Sequence, residues 1–357
     1  MLAQAQLAMN SGRITSGAAL AVVLVLLVLT GIFYSQYREF RNAPVTVPES
    51  GLVYEVRAGT TLGSLARDLH QKGIIEHPRF FVLLGRELDA EHRLQAGEFR
   101  ILPAMTPVSL LDTLSRGEVI QYALTIVEGQ TFREMMRAIT ASGQLRNTLE
   151  GLDAPGIMAR LGHAGEHPEG RFLPDTYHFP RGTTDVAFLQ RAYDAMQSRI
   201  DEEWQKRAPD LPLESPYEAL ILASIVEKET GRAAERTLIA GVFMQRLRSN
   251  MRLQTDPTVI YGLGEKFDGN IRSRDLRSDT PYNTYTRSGL PPTPIAMPGI
   301  EAIQAVLHPQ ERGYLYFVAT GDGRHYFSKT LQVHNQAVKK YQQGVAGISL
   351  PADGMYE

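Results

Sequence analysis

The chain contains no cysteine. That excludes a disulfide framework, a thiolate nucleophile and any Cys-ligated metal. It also lacks a basic run: 37 Lys and Arg stand against 39 Asp and Glu, for a net charge of −2. Nucleic-acid binding depends on clustered cations that release counterions, so no nucleic-acid partner is expected. Charge is missing altogether from Ser16 to Tyr34, SGAALAVVLVLLVLTGIFY. This stretch is about as long as a bilayer core requires, and it has no polar face. No A-x-A-like site follows it, which favours a retained signal anchor over a cleaved signal peptide. We expect a cytoplasmic segment over residues 1–15, one transmembrane helix over 16–36, and the body outside the cytoplasmic membrane. Arg13 precedes the span while Arg38 and Arg41 follow it, so flanking charge does not argue for that orientation. Long domains translocate largely regardless of such charges.

At 357 residues the chain is too long for one small core. Residues 37–51, with NAPVTVPESG from Asn42, read as an extended linker. A pattern then occurs three times: VRAGTTLGSLARDL from Val56, ILPAMTPVSLLDTL from Ile101 and IVEGQTFREMMRAI from Ile126. Each copy has a β-branched residue, then a small residue or Gly, then Thr61, Thr106 or Thr131, then apolar residues at helical spacing. The order predicts a strand, a tight turn, a Thr N-cap and a short amphipathic helix. The copies are unevenly spaced, so they do not form a solenoid. Residues 52–145 are expected as a small α+β region and 146–345 as a larger α+β unit. Within the latter, helices are expected over Phe188–Trp204, Pro216–Thr230, Ala233–Leu247 and Leu331–Gly344. YLYFVATGDGRHYF reads as a hairpin around Gly321-Asp322-Gly323. The polar, aromatic stretches RLQTDPTVIYGLG and SDTPYNTYTRSGLPPTPIAMPG read as long loops that build a cleft. Residues 346–357 are expected as a tail.

Two acids stand out in SPYEALILASIVEKETG, residues 215–231. Ser215 to Glu218 reads as a capping box with Pro at the first helical position, and Gly231 as a stop. Ile221, Leu222, Ile225 and Val226 form a stripe. At about 100° per residue, Glu229 projects to its centre, while Glu227 lies roughly 160° away beside Leu220 and Ser224. The two carboxylates are therefore not an adjacent pair. A carboxylate on an apolar face costs free energy unless it is neutral, paired or functional. Burial and the helix C-terminal dipole both favour the protonated form, the state a general acid needs. Patterning leaves two readings for Glu229: a catalytic acid, or a frayed end that meets Arg232 or Arg236. Glu227 reads as solvated.

ASIVEKET (223–230), RLQTDPTVIYG (252–262) and YNTYTRSGLPPTPIAMPG (282–299) resemble the YceG-like family, whose bacterial members are endolytic murein transglycosylases. EGRFLPDTYHF from Glu169 resembles that family's EG-x-x-x-PDTY element. LHP at Leu307 and YLYFVATGDGRHYFSKTLQVHN resemble its C-terminal portion. The resemblance spans nearly the whole chain. In addition, Tyr54 to Ala66 resembles a LysM module, a binder of N-acetylglucosamine polymers; an ordinary strand-to-helix turn would read the same way. The family resemblance implies that Glu229, the second acid of the E-K-E triplet, is catalytic. Thr230 stands where other lytic transglycosylases usually carry Ser. The implied reaction cleaves the β-1,4 bond between N-acetylmuramic acid and N-acetylglucosamine and leaves a 1,6-anhydro end. The nucleophile is the substrate's own C6 hydroxyl, so no second carboxylate, cofactor or metal is implied. The implied setting is a bacterial inner membrane, crossed once, with the catalytic unit in the periplasm. Implied partners are glycan strands of peptidoglycan, the inner membrane and peptidoglycan synthases of the penicillin-binding class.

Gln254, Thr255 and Asp256 are candidates for orienting sugar or acid, although Asp256 before Pro257 also reads as a helix cap. Tyr282, Asn283 and Tyr285 offer amide and ring contacts suited to saccharides, or loop packing. Asp175 and Tyr177 are candidates for the cleft wall. His163 and His167 have helical spacing, but Gly165 and Pro168 argue against a helix there, and no metal site is expected. GLGEKFDG is not a phosphate loop, because it lacks the flanking strand and helix. Two competing functions remain: a glycan hydrolase using Asp256 or Asp175 as second carboxylate, and a non-catalytic peptidoglycan-binding scaffold for wall synthases.

Overall fold

The computed structural model describes residues 2–355. Met1 of the expected N-terminal segment, and Tyr356 and Glu357 of the expected tail, lie outside the described residues. The chain divides into two compact units, residues 1–121 and 122–357.

The first unit begins with helix α1 (Leu2–Asn42). Its stretch from Leu20 is long and apolar enough to cross a bilayer, with a mean hydropathy of 2.0. The side chains there point outward without protein cover. Beyond it the expected linker is corrected. Tyr37, Phe40 and Val45 are buried in the core of the unit. The backbone N–H of Val45 donates to Met105 (2.8 Å) and that of Thr46 to Ile74 (3.0 Å). The physical reason lies in Tyr37 and Phe40, which put one apolar edge on the last turns of a helix that the span has already nucleated.

The rest of the unit comprises β1 (Leu52–Val56), α2 (Leu62–Gln71), α3 (Pro78–Glu87), β2 (Gly97–Ile101) and α4 (Pro107–Arg116). Strands β1 and β2 pair antiparallel, with Leu52 opposite Ile101 and Val56 opposite Gly97. Alternation sends Tyr54, Val56, Phe99 and Ile101 inward. Thr61 and Thr106 cap α2 and α4, each accepting the N–H three residues on, and Ser64 and Ser109 reciprocate. These are the caps that the repeated pattern predicts.

The second unit comprises β3 (Gln121–Thr125), α5 (Phe132–Ala141), α6 (Ala154–Arg160), β4 (Thr176–Pro180), α7 (Asp185–Gln205), α8 (Pro216–Glu229), α9 (Ala233–Arg248), α10 (Asp256–Leu263), α11 (Ser273–Arg277), α12 (Ile300–Leu307), β5 (Tyr316–Ala319), β6 (His325–Ser328) and α13 (Leu331–Tyr341). The third copy of the pattern therefore falls here and not with the first two, since β3 pairs with β4. Thr131 caps α5 with Glu134 reciprocating. Among the described residues the sheets are two-stranded ribbons, so helices supply most of the packing surface. The expected hairpin is present as β5–β6, closed by Thr320 and Arg324. The tail is tied down: Tyr326 donates its hydroxyl to Pro351 O (2.8 Å), and Met355 bridges to Tyr326.

Helix α8 is the centre of this unit. Every residue from Ala219 to Val226 is buried, against α7, α9, α12, Ile295 and Phe327. The expected one-sided stripe is thus corrected: a helix apolar all round is buried all round. Its one polar member there, Ser224, donates to Ile221 O (2.7 Å) and accepts the N–H of Ile295 (2.9 Å). At the start, Ser215 accepts the N–H of Glu218, but the Glu218 carboxylate accepts from Glu214 and not from Ser215. Half of the expected capping box is displaced by one residue. At the other end Gly231 is not the stop; Thr230 leaves the helix in extended conformation.

Helix α9 packs through Gly241, where an added Cβ would lie 2.8 Å from the carbonyl carbon of Gln310. Gln310 is itself held, donating its N–H to Thr237 O (2.9 Å). Alanine should favour the helix by about 1 kcal/mol, but overpacking costs about 1–3 kcal/mol. Gly241→Ala is therefore expected to lower the urea midpoint at an unchanged m-value. An equal or higher midpoint would show that the 310 segment yields.

Candidate active site

Glu229 is the last residue of α8, and its carboxyl lies where the core ends. The hydroxyl of Thr255 donates to Oε1 of Glu229. Oε2 carries no protein hydrogen bond among the described residues, and the residue keeps a partly exposed edge. Burial is the main force on this carboxyl and raises its pKa above the usual value of 4.5; nearby Asp256 acts in the same direction. The Thr255 hydrogen bond and the charges of His325 and Arg246 oppose the rise without cancelling it. The site therefore favours a neutral carboxyl with one free oxygen.

Thr255 is fixed from three sides. It is 2% exposed, and its N–H donates to the hydroxyl of Thr284 (3.1 Å). Thr258 donates to Thr255 O (2.7 Å) and shares a hydrogen bond with Thr284 (2.9 Å). Upstream, the buried guanidinium of Arg246 donates to the carbonyls of Leu253 (2.5 Å) and Leu315 (2.7 Å). Gln254 sits between these restraints with φ of 50°, in the left-handed region a glutamine seldom adopts. Its side chain is exposed, one residue before the threonine that binds the acid. Thr255, not Asp256, occupies the N-cap position of α10, and its side chain serves Glu229 instead of the helix. The cap reading of Asp256 is thereby corrected: Asp256 is the first helical residue, and its carboxylate accepts the hydroxyl of Tyr285 (2.7 Å).

The structure thus brings Glu229, Gln254, Thr255, Asp256 and Tyr285 together. It does not bring in the other candidates. Asn283 is 1% exposed, and its amide is spent on Asp275 O, Leu276 O and Ser278 O, with its oxygen on Tyr285 N–H. Its contacts support the loop-packing reading. Tyr282 packs on Tyr261 and shares a hydrogen bond with Thr293 (2.9 Å). Tyr177 is buried on Phe188 and donates to Leu173 O (2.8 Å); the Asp175 carboxylate accepts its neighbour's N–H at Thr176. Glu227 is not solvated: it is half-buried and accepts the N–H of Gly299 (3.1 Å) at the start of α12. Arg236 pairs with Glu301, and among the described residues neither Arg232 nor Arg236 makes an ion pair or hydrogen bond with Glu229, whose cationic neighbours are His325 and Arg246. Among the described residues no three His, Asp or Glu side chains gather as metal ligands.

The model of the YceG-like family matches residues 54–340. The chain belongs to the YceG-like family. Among its relatives, a Bacillus subtilis protein named endolytic murein transglycosylase is 30% identical over 80% of this chain and 83% of its own length. A Streptococcus pneumoniae protein of the same name is 27% identical over 90% of this chain, which spans 64% of that relative. A crystal structure of a YceG-like protein from Listeria monocytogenes superposes with a TM-score of 0.54 at 31% identity, covering 81% of this chain and 99% of that one.

Several buried groups of this YceG-like chain escape sequence reasoning. Glu235, 2% exposed in the first turn of α9, accepts the N–H (2.9 Å) and Nδ1 (2.7 Å) of His325 and the hydroxyl of Thr230 (3.4 Å). That holds β6 against the loop after the acid. An acid three residues before an apolar run gives no signal that its partner lies 90 residues away. Glu169 is also buried, 3% exposed; it accepts the N–H of Phe132 (2.8 Å) and the hydroxyl of Tyr261 (3.0 Å), joining α5 to α10. The following Gly170 has φ of +75° with Pro294 against its missing Cβ, which accounts for the Glu-Gly pair.

Burial pushes the Glu169 carboxyl up to about 7 from 4.5, despite both hydrogen bonds. Between those values the unfolded chain ionises while the folded chain keeps the proton. Stability from this group is therefore full below about 4.5 and is lost as pH rises to about 7, on the order of a few kcal/mol in all. Glu169→Gln removes that loss. Urea titrations from pH 4.5 to 8 should show the variant gaining on wild type with rising pH, and parallel curves would contradict the assignment.

Proposed function

We propose that this protein is a membrane-anchored lytic transglycosylase that cleaves β-1,4 bonds within peptidoglycan strands, with Glu229 as its single acid and base. The observation that carries the reading is the burial of Glu229, neutral by preference, with Oε2 unengaged and Oε1 held by Thr255. The names of the relatives support the substrate and the endolytic mode.

In the first step Oε2 of Glu229 protonates the glycosidic oxygen, and the C1–O bond breaks through an oxocarbenium-like state. The carboxylate left behind is then stabilised by the Thr255 hydroxyl and by the positive charge of Arg246. In the second step Glu229 takes the proton of the muramic acid C6 hydroxyl as that oxygen attacks C1. The 1,6-anhydro ring closes, Glu229 is neutral again and no water is consumed. The environment suits both halves, because burial favours the acid at rest while Thr255 limits the cost of the transient anion. Gln254 and Tyr285, exposed or half-buried beside the acid, are the side chains we assign to sugar contact, with Asp256 orienting the Tyr285 hydroxyl.

The apolar stretch of α1 supports an inner-membrane anchor, and the peptidoglycan activity named for the relatives supports placing the second unit in the periplasm. The separate core of the first unit, with its capped strand-turn-helix elements, supports a LysM-like glycan-binding role there. Limiting strand length beside peptidoglycan synthases is the cellular task that fits an anchored, endolytic enzyme.

The test is digestion of purified peptidoglycan by wild type and Glu229→Gln, read by mass spectrometry. Wild type should give anhydro-muramic ends, lighter by one water than reducing ends, and the variant should be slower by about 10²–10⁴-fold. Reducing ends without anhydro product would favour a hydrolase. Retained activity in the variant would remove Glu229 from the mechanism, and no cleavage by wild type would favour the scaffold.

A further inference from the structure

Helix α3 is fastened to α1 at both ends. Near its start, the ring of Phe80 packs edge-on against Phe33 (centroids 5.3 Å) and Tyr37 (5.6 Å), and tilted against Phe40 (5.8 Å). At its other end, Glu87 accepts the hydroxyl of Tyr37 (2.5 Å) and the guanidinium of Arg41 (2.6 Å). These contacts are spread over residues 33–41 of one helix, about 12 Å of rise, so α3 is joined to α1 at more than one level. Phe33 lies in the last turn of the apolar run that ends at Tyr34. Whatever packs on Phe33 sits where that run leaves hydrocarbon, so the first turn of α3 is at that level.

The outward face of α3 matches such a place. Arg79, Leu83 and Arg86, at i, i+4 and i+7, form one stripe and are all exposed, Leu83 by 41%. Arg38 on α1 is exposed as well, while Arg41 is taken by Glu87. The exposed acids near the stripe are Glu76, which precedes the helix, Glu87, which is taken by Tyr37 and Arg41, Asp89, which follows the helix, and Glu91, which approaches Arg86 at 3.8 Å. An apolar residue between two arginines on a helix beside a membrane span is the pattern of an interfacial helix on anionic lipid.

We propose that α3 lies in the lipid headgroup layer, with Leu83 dipping into it and Arg79 and Arg86 on anionic headgroups, so that the first unit is seated on the bilayer and not tethered above it. This rests on the anchor reading of α1. The kind of partner is a lipid surface, and continuity with the span is what selects it.

The absence of cysteine makes the test direct. Leu24→Cys, Leu83→Cys and Val53→Cys are made singly in the full chain, labelled with bimane and placed in nanodiscs containing phosphatidylglycerol and brominated lipid. The span position Leu24 should be quenched strongly, Leu83 to an intermediate degree, and the exposed strand position Val53 least. Adding Arg79→Glu and Arg86→Glu to the Leu83→Cys chain should remove most of the Leu83 quenching. Quenching at Leu24 with Leu83 no different from Val53 overturns the seat while the anchor stands. No quenching at Leu24 overturns both. Leu83 quenching that survives the double charge reversal overturns the headgroup contact of the arginines.

Discussion

A helix buried on every side ends in a carboxyl, and the rest of the second unit is arranged around that placement. Ala219 to Val226 must be wrapped by other elements because none of their faces suits water. Wrapping them brings α9, α12 and the segment after α9 to the helix end, which takes most of Glu229 out of water as well. A charge there would be costly, so the group keeps its proton by preference. The stability of the core and the chemistry of the acid are thus one constraint.

What surrounds the acid is a set of fixed polar groups, each satisfied by the protein before any ligand arrives. Arg246 holds the carbonyls that lead into Gln254, Thr258 and Thr284 hold Thr255, and Thr255 holds Glu229. Glu235 and His325 clamp the loop that follows the acid to the terminal hairpin. Preorganisation of this kind means that the hydrogen bond which stabilises the anion costs no rearrangement at the moment of reaction.

The sequence made the local elements legible because their causes are local. Thr61, Thr106 and Thr131 cap where the repeated pattern placed them, the Gly321–Gly323 hairpin formed, and α7, α8 and α9 run close to their expected limits. Helical projection separated Glu227 from Glu229, and their different partners agree with that separation. The projection also presupposes a solvent face that α8 does not have, which is why it places Glu227 in solvent. Long-range partners were illegible. Nothing local in NAPVTVPESG shows that the chain around it, from Tyr37 to Thr46, packs on the first unit. Nor does a polar aromatic loop reveal which of its members point at an acid: Tyr285 does through Asp256, while Asn283 is consumed by its own loop. Glu169, Glu235 and Arg246 look like ordinary surface charges in sequence, and only tertiary packing makes them buried ones.

The central claim is that Glu229 holds its proton above the usual carboxyl range because it is buried. The direct measurement is the carboxylic C=O stretch by infrared difference spectroscopy, wild type minus Glu229→Gln, followed against pH. The account predicts a protonated carboxyl band in wild type, absent from the variant, that persists well above 4.5 and extends to still higher pH in Thr255→Val, where the lowering hydrogen bond is gone. A band that disappears together with the surface carboxyls, near 4.5, would contradict it.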